Sequence, residues 1–297
     1  MTKLIQLLVE GLGLASTYAL VAVGFVIIYK SMRVVSFAQP GLMVVGASFV
    51  VFLATEVGLS FYLAVPIAMI LTAVVGLIVE RTTLRPMVGK PVFVVAIITI
   101  GIDVILRQVV NRYVGLNVRP IGDPWGLDGF NLGGVQVQVR HLVMMTVTSG
   151  VVALLFAFFK RSKTGLAMRA AAADQETALA QGVSVGRVFA ISWALAGALA
   201  ALAGVFVGTG GGVDQQTWTV ALKAVPAIIL GGLDSVGGAV VGAVIVGLVE
   251  SLVGGYQADL FPFLGQNFSI VSPYVIMVVI LLVRPYGLFG TVKVERV

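Results

Sequence analysis

At 297 residues the chain has the length of one or two soluble domains, yet 59% of its residues are hydrophobic and 11% are charged, with a mean hydropathy of +1.07. A soluble domain carries about 25% charged residues, so too little charge is present to clothe a water-facing surface, and lipid must replace water around most of the chain. The lack of cysteine excludes disulfides and thiolate metal sites, a single histidine excludes a histidine-rich metal centre, and the net charge of +6 lies in short clusters between apolar runs, which fits membrane topology better than a nucleic-acid surface.

A spanning helix takes about 20 mostly apolar residues. In chain order the apolar runs are Leu7 to Tyr29, Phe37 to Thr55, Phe61 to Val79, Val92 to Val110, Leu142 to Phe159, Val188 to Gly208, Val236 to Tyr256 and Ile270 to Val283. A shorter piece, Thr217 to Gly232, carries Lys223 and Pro226. The runs lack the alternation of barrel strands. The expected fold is an all-α polytopic membrane bundle with about nine spans, eight to ten being the range. The first run has no small-residue cleavage site and reads as a retained span.

Most of the 19 basic residues fall on one side if the spans alternate. Lys30 and Arg33 follow the first span, Arg81, Arg85 and Lys90 the third, and Lys160, Arg161, Lys163, Arg169 and Arg187 surround the loop after the fifth. Arg284, Lys293 and Arg296 close the chain. By the positive-inside rule this side is cytoplasmic, which puts the amino terminus outside and the carboxyl terminus inside. A re-entrant 217–232 segment would move the basic tail outside, so the charges favour nine spans. The main exceptions are Arg112, Arg119 and Arg140, on an outer segment rich in Gly, Asp and Pro that reads as turns and a hairpin.

The sequence holds no Walker A pattern, Gly89-Lys90 being followed by Pro91, and neither a Gly-x-Ser-x-Gly nor a His-Glu-x-x-His pattern. No catalytic residue, cofactor or metal ligand is expected in this chain. The informative segment is the loop at about 160–187. Its Ala-rich stretch from Leu166 to Gln181 has strong helix propensity, and Gly182 is a natural stop. By itself this reads either as an interfacial helix or as one that transmits force from a soluble partner.

Glu176-Thr177-Ala178, three residues, then Gly182 resembles the EAA loop by which ABC importer permeases dock their ATPases. More specifically, the chain resembles permeases of branched-chain amino acid importers, of the LivH type. Four further stretches carry the resemblance: Tyr29 to Gly41, ending Ser36-Phe-Ala-Gln-Pro-Gly; Glu80-Arg-Thr-Thr-Leu-Arg-Pro with Thr99-Ile-Gly; Ile229-Leu-Gly-Gly-Leu-Asp-Ser; and Arg284-Pro-Tyr-Gly-Leu-Phe-Gly. Three departures stand out: Gln39-Pro40 replaces the usual His-Gly, Asp234 stands where glycine is common, and Asp103 is acidic in a usually neutral segment.

The resemblance implies a single permease domain over 1–297, with Arg169, Asp174, Glu176, Ala178 and Gly182 in the ATPase-coupling loop. It also implies ATP bound on two cytoplasmic ATPase subunits, an extracellular solute-binding protein, and a second related permease, a homodimer being the alternative. Branched-chain amino acids are the first solute class, with urea and short amides carried by related permeases.

Pro40 disfavours helix at the residue before it, so the second span is expected to start at a break near Gln39, and Pro226 is its counterpart in the second half. Interrupted helices in matching halves point to a transport pathway, while proline is also an ordinary helix opener. Candidates for that pathway are Ser36, Gln39, Pro40, Gly41, Asp103, Lys223 and Glu250, because ionisable groups in spans face protein or water. Structural pairing between helices is the other reading of the three charged residues. The rival function is a secondary transporter or channel working without ATP, which would leave the EAA-like loop without a purpose.

Overall fold

The computed structural model describes residues 2–87, 89–115, 117–126, 128–260 and 268–290. The basic tail residues Lys293 and Arg296 lie outside them. The described chain is a helical bundle with one small hairpin. Its helices are α1 (Thr2–Met32), α2 (Gln39–Val51), α3 (Phe61–Val79) and α4 (Val92–Val114), followed by strands β1 (Gly129–Leu132) and β2 (Val135–Gln138). Then come α5 (Val139–Arg161), α6 (Lys163–Ala173), α7 (Gln175–Ala180), α8 (Val185–Gly211), α9 (Trp218–Leu222), α10 (Ala224–Gly231), α11 (Val236–Leu260) and α12 (Ser272–Val283).

Seven of the described helical segments are long and apolar enough to cross a membrane. Two shorter apolar helices, Trp218–Gly231 and Ser272–Val283, accompany them. These nine segments fall on the nine runs read from the sequence. The Trp218–Gly231 piece spans roughly 21 Å at 1.5 Å per residue, short of the roughly 30 Å hydrocarbon core. Beside its start, Arg119 and Val213 exchange main-chain hydrogen bonds and Gln215 Nε2 donates to the Gly115 oxygen. At its finish the Leu230 and Gly231 oxygens accept from the amides of Leu288 and Phe289.

α1 forms the centre. Between Gly11 and Ile28 it carries no charged residue, and from Ala15 to Ile28 its residues are buried, as expected for a stretch without a polar face. It packs against α5, α8, α10 and α11. In lipid such packing rests on close approach more than on a hydrophobic drive, and small residues supply it. The buried face of α3 is Ala64, Ala68, Thr72 and Gly76, one every fourth residue. A methyl group at Gly76 would stand 2.6 Å from the Trp193 oxygen, and one at Gly197 of α8 would stand 2.7 Å from the Thr72 oxygen. The Gly204-x-x-x-Gly208 and Gly238-x-x-x-Gly242 pairs serve the same end. Gly204 lies on the Met43 backbone of α2, Gly208 on Ile121, Gly238 on the Gly231 oxygen and Gly242 on the Ala227 oxygen.

Of the exceptional basic residues, Arg119 is locally answered, whereas the buried Nε of Arg140 has no partner among the described residues. Arg119 pairs with Glu56 at 3.1 Å and stacks on Tyr113. The turn-rich segment does form an antiparallel hairpin, with Gly129 opposite Gln138 and Leu132 opposite Val135.

Candidate functional site

The loop at 160–187 is two helices, where propensity alone predicts one. The break is Asp174, whose extended backbone lets its carboxylate accept from the amides of Glu176 (2.9 Å) and Thr177 (3.1 Å) and from the Thr177 hydroxyl (2.7 Å). An N-cap of this kind competes with helix continuation. The Thr177 hydroxyl, then the helix amides, hold the Asp174 carboxyl below the usual carboxylate range. Ser162 caps α6 in the same manner, accepting from the Gly165 amide at 2.8 Å.

Gly182 ends α7 as the sequence predicts. Its φ of +83° lets its amide donate to the Leu179 oxygen while the Val183 amide reaches Ala178. This is a Schellman closure, which requires a left-handed residue there. Ala178 is buried, whereas Glu176 and Gly182 are exposed. Two leucines, Leu166 at 60% and Leu179 at 57%, also face outward. Arg169 is an exposed residue that donates Nη1 to the Phe159 oxygen at 2.6 Å, pinning α6 to the end of α5.

Two residues that sequence reasoning missed tie this element to the bundle. Gln175 Nε2 donates to the Ser31 oxygen at 2.9 Å, and the Arg33 guanidinium donates to the Ala172 oxygen. Arg33 is the one non-glycine residue with positive φ (57°) among those described. That conformation costs on the order of 1–3 kcal/mol, and it turns the chain from α1 into the α1–α2 connector. Arg85 makes a parallel link: it pairs with buried Glu80 at 3.1 Å and donates to the Gly186 oxygen at 2.8 Å, joining the end of α3 to the start of α8.

The pathway candidates divide into two groups. Ser36, Gln39, Pro40 and Gly41 lie together where α2 begins, and all are buried. Pro40 sits in the first turn, as its missing N–H favours. The Ser36 hydroxyl oxygen accepts from the Ala38 amide (3.4 Å) and the neighbouring Phe37 amide donates to Thr99 Oγ1 of α4 (3.0 Å). Gln39 is fully buried beside Gly24 of α1, and both polar atoms of its amide lack a hydrogen-bond partner among the described residues. Asp103 lies close by, next to Gly41, and pairs with Arg107 one turn along α4 at 2.7 Å. Arg107 in turn lies over the Trp218 ring at 4.1 Å, linking α4 to α9.

Lys223 and Glu250 form the second group. Lys223 breaks the short segment into α9 and α10, and its ammonium meets Glu250 Oε1 of α11 at 2.6 Å. The other carboxylate oxygen accepts from Tyr18 of α1 at 2.6 Å. Tyr18 is thereby the third member of a buried polar cluster. Both charges are therefore paired with protein, as burial of an ion demands.

The comparisons agree with this architecture. The family described as "Branched-chain amino acid transport system / permease component" matches residues 7–283. The chain is 29% identical to the high-affinity branched-chain amino acid transport system permease protein BraD of Pseudomonas aeruginosa, covering 99% of this chain and 98% of that one. It is 28% identical to LivH of Escherichia coli K12, covering 99% and 97%. It is 30% identical to the probable branched-chain amino acid transport permease protein LivH of Methanocaldococcus jannaschii, covering 91% and 88%. Among solved structures, PsaBC from Streptococcus pneumoniae in complex with Fab aligns with a TM-score of 0.51 at 13% identity, over 96% of this chain and 93% of that one, a likeness of fold. The chain is a multi-pass protein of the bacterial cytoplasmic membrane and belongs to the permease component family of branched-chain amino acid transport systems.

Proposed function

We propose that this chain is one membrane-spanning half of an ATP-driven importer, coupled to its ATPases through α6 and α7. The observation that carries the reading is the construction of that element. It presents Glu176, Leu166 and Leu179 outward while Gln175 and Arg33 bind it to the end of α1. An exposed docking face rigidly joined to the core helix is what a lever needs. Two cytoplasmic ATPase subunits, which bind the ATP, press on this face. Their closure moves the Ser31–Arg33 connector, and with it the start of α2 at Gln39 and Pro40.

In this reading the whole chain is a single permease domain with nine crossings, Trp218–Gly231 among them. The amino terminus is outside and the carboxyl terminus cytoplasmic, following the basic residues. An extracellular binding protein delivers the solute, and a second, related permease completes the passage. The solute class is the branched-chain amino acids, as named for the relatives, with urea and short amides as a second class for the Gln39-Pro40 variation. Ser36, Gln39, Gly41 and Asp103 line the passage in the first half. Lys223 and Glu250 brace it.

The test is purification of the tagged chain in mild detergent, followed by reconstitution. Retained ATPase and ATP-dependent uptake of labelled leucine support the proposal. Uptake that proceeds without nucleotide supports the secondary-transporter alternative.

A further inference from the structure

Two cavities meet at Phe156 on the flank of the bundle. One, of about 330 Å³, lies at the coupling end among Lys30 of α1, Lys160 of α5 and Arg169 of α6. The other, of about 470 Å³, continues from it as an apolar crevice between α1, α5 and α11, walled by Ala15, Ala19, Val152, Ala153, Val240 and Val244. Phe156 is 47% exposed and lines both.

The chemistry of the two ends differs sharply. Asp234 stands among the three cations, so the first cavity keeps a positive excess. Arg169 spends one guanidinium nitrogen on the Phe159 oxygen and keeps other donors. Lys30 and Lys160 each lie in the last turn of their helix, the level at which basic side chains meet lipid headgroups. From Lys160 back to Met145 the two cavities follow α5 for roughly 22 Å, longer than one leaflet's share of a roughly 30 Å core. A phosphate suits the first cavity and an alkyl chain the second.

We propose that this paired cavity binds one anionic phospholipid, its phosphate among Lys30, Lys160 and Arg169 and an acyl chain in the α1–α5–α11 crevice. Because Arg169 belongs to α6 and Lys30 to α1, the lipid fastens the coupling element to the core, adding to the Gln175 bond to Ser31, which lines the same cavity. The site stands apart from the transport reading, since its occupancy is measured without ATP or solute.

The experiment is native mass spectrometry of the full chain, with the partners it retains, after delipidation and incubation with phosphatidylglycerol or phosphatidylcholine. Wild type is expected to hold one phosphatidylglycerol per copy and to prefer it over phosphatidylcholine at least tenfold. The Lys30→Gln/Lys160→Gln variant should lose about tenfold or more in retention, since each cation near a lipid surface contributes about a factor of five. Ala153→Trp, which fills the crevice and leaves every charge in place, should release the lipid as well, and it decides the matter if the double variant does not fold. Equal retention of the two lipids, or unchanged retention in either variant, overturns the proposal. Displacement of the lipid by millimolar glycerol phosphate or inorganic phosphate overturns it too, by showing that a free anion is the ligand.

Discussion

Gln175 Nε2 donates to the main-chain oxygen of Ser31 across 2.9 Å, joining the first residue of α7 to the last turn of α1. Through this bond and its neighbour from Arg33 to Ala172, displacement of the surface element reaches the helix around which the bundle is packed.

Replacing Gln175 by alanine should therefore uncouple more than it unfolds. One such hydrogen bond contributes about 1 kcal/mol, a small change in thermal stability. Solute carried per ATP hydrolysed should fall several-fold in proteoliposomes while membrane insertion and ATPase retention stay the same. An unchanged solute-to-ATP ratio would remove Gln175 from the coupling path.

Lys223 and Glu250 call for a double-mutant cycle. Lys223→Met leaves the Glu250 carboxylate buried with Tyr18 alone and should cost about 3–5 kcal/mol, the penalty for breaking a buried pair. Adding Glu250→Gln should restore most of the lost thermal stability. Recovery of uptake along with stability identifies a brace; recovered stability with uptake still absent identifies a contact with the solute.

Gln39 offers a cleaner separation of stability and activity. A buried amide with no partner costs about 1–3 kcal/mol relative to a satisfied one, so Gln39→Leu should raise the melting temperature. If the amide serves the passage, uptake falls several-fold in the same variant. A stabilised variant with undiminished uptake would take Gln39 out of the pathway.

The Asp174 cap makes a prediction about pH. Its folded-state carboxyl is shifted downward by Thr177, so the cap's contribution is present above the unfolded carboxylate value of about 3.9 and is lost only as pH falls through the still lower folded value. ATP-driven uptake should show no step from Asp174 between pH 5 and 8, and Asp174→Asn, which retains an acceptor, should share the wild-type profile. Asp174→Ala should make the α6–α7 junction more readily cleaved by protease.

The apolar runs were legible because a span needs a long local stretch of one chemistry, and the nine runs coincide with helices in the structure. The stop at Gly182 and the Pro40 start were legible for the same reason, being local backbone requirements. The break at Asp174 was hidden by the alanines around it, since propensity counts residues and a cap is made by one. Gln175 with Ser31, Lys223 with Glu250, and Arg107 over Trp218 join positions remote in sequence or on different helices. Nothing local marks such partners. Arg33 reads in the sequence as a topology charge, and only the folded connector shows its left-handed backbone and its grip on α6.

The chain contains no cysteine, so a single Leu179→Cys places one thiol on the outward face of α7, where the leucine is 57% exposed. Its rate of reaction with a water-soluble maleimide measures the central claim directly. The thiol should react readily in the isolated chain and be protected at least tenfold in the complex with ATPase. Equal rates in the two states would contradict docking on α6 and α7.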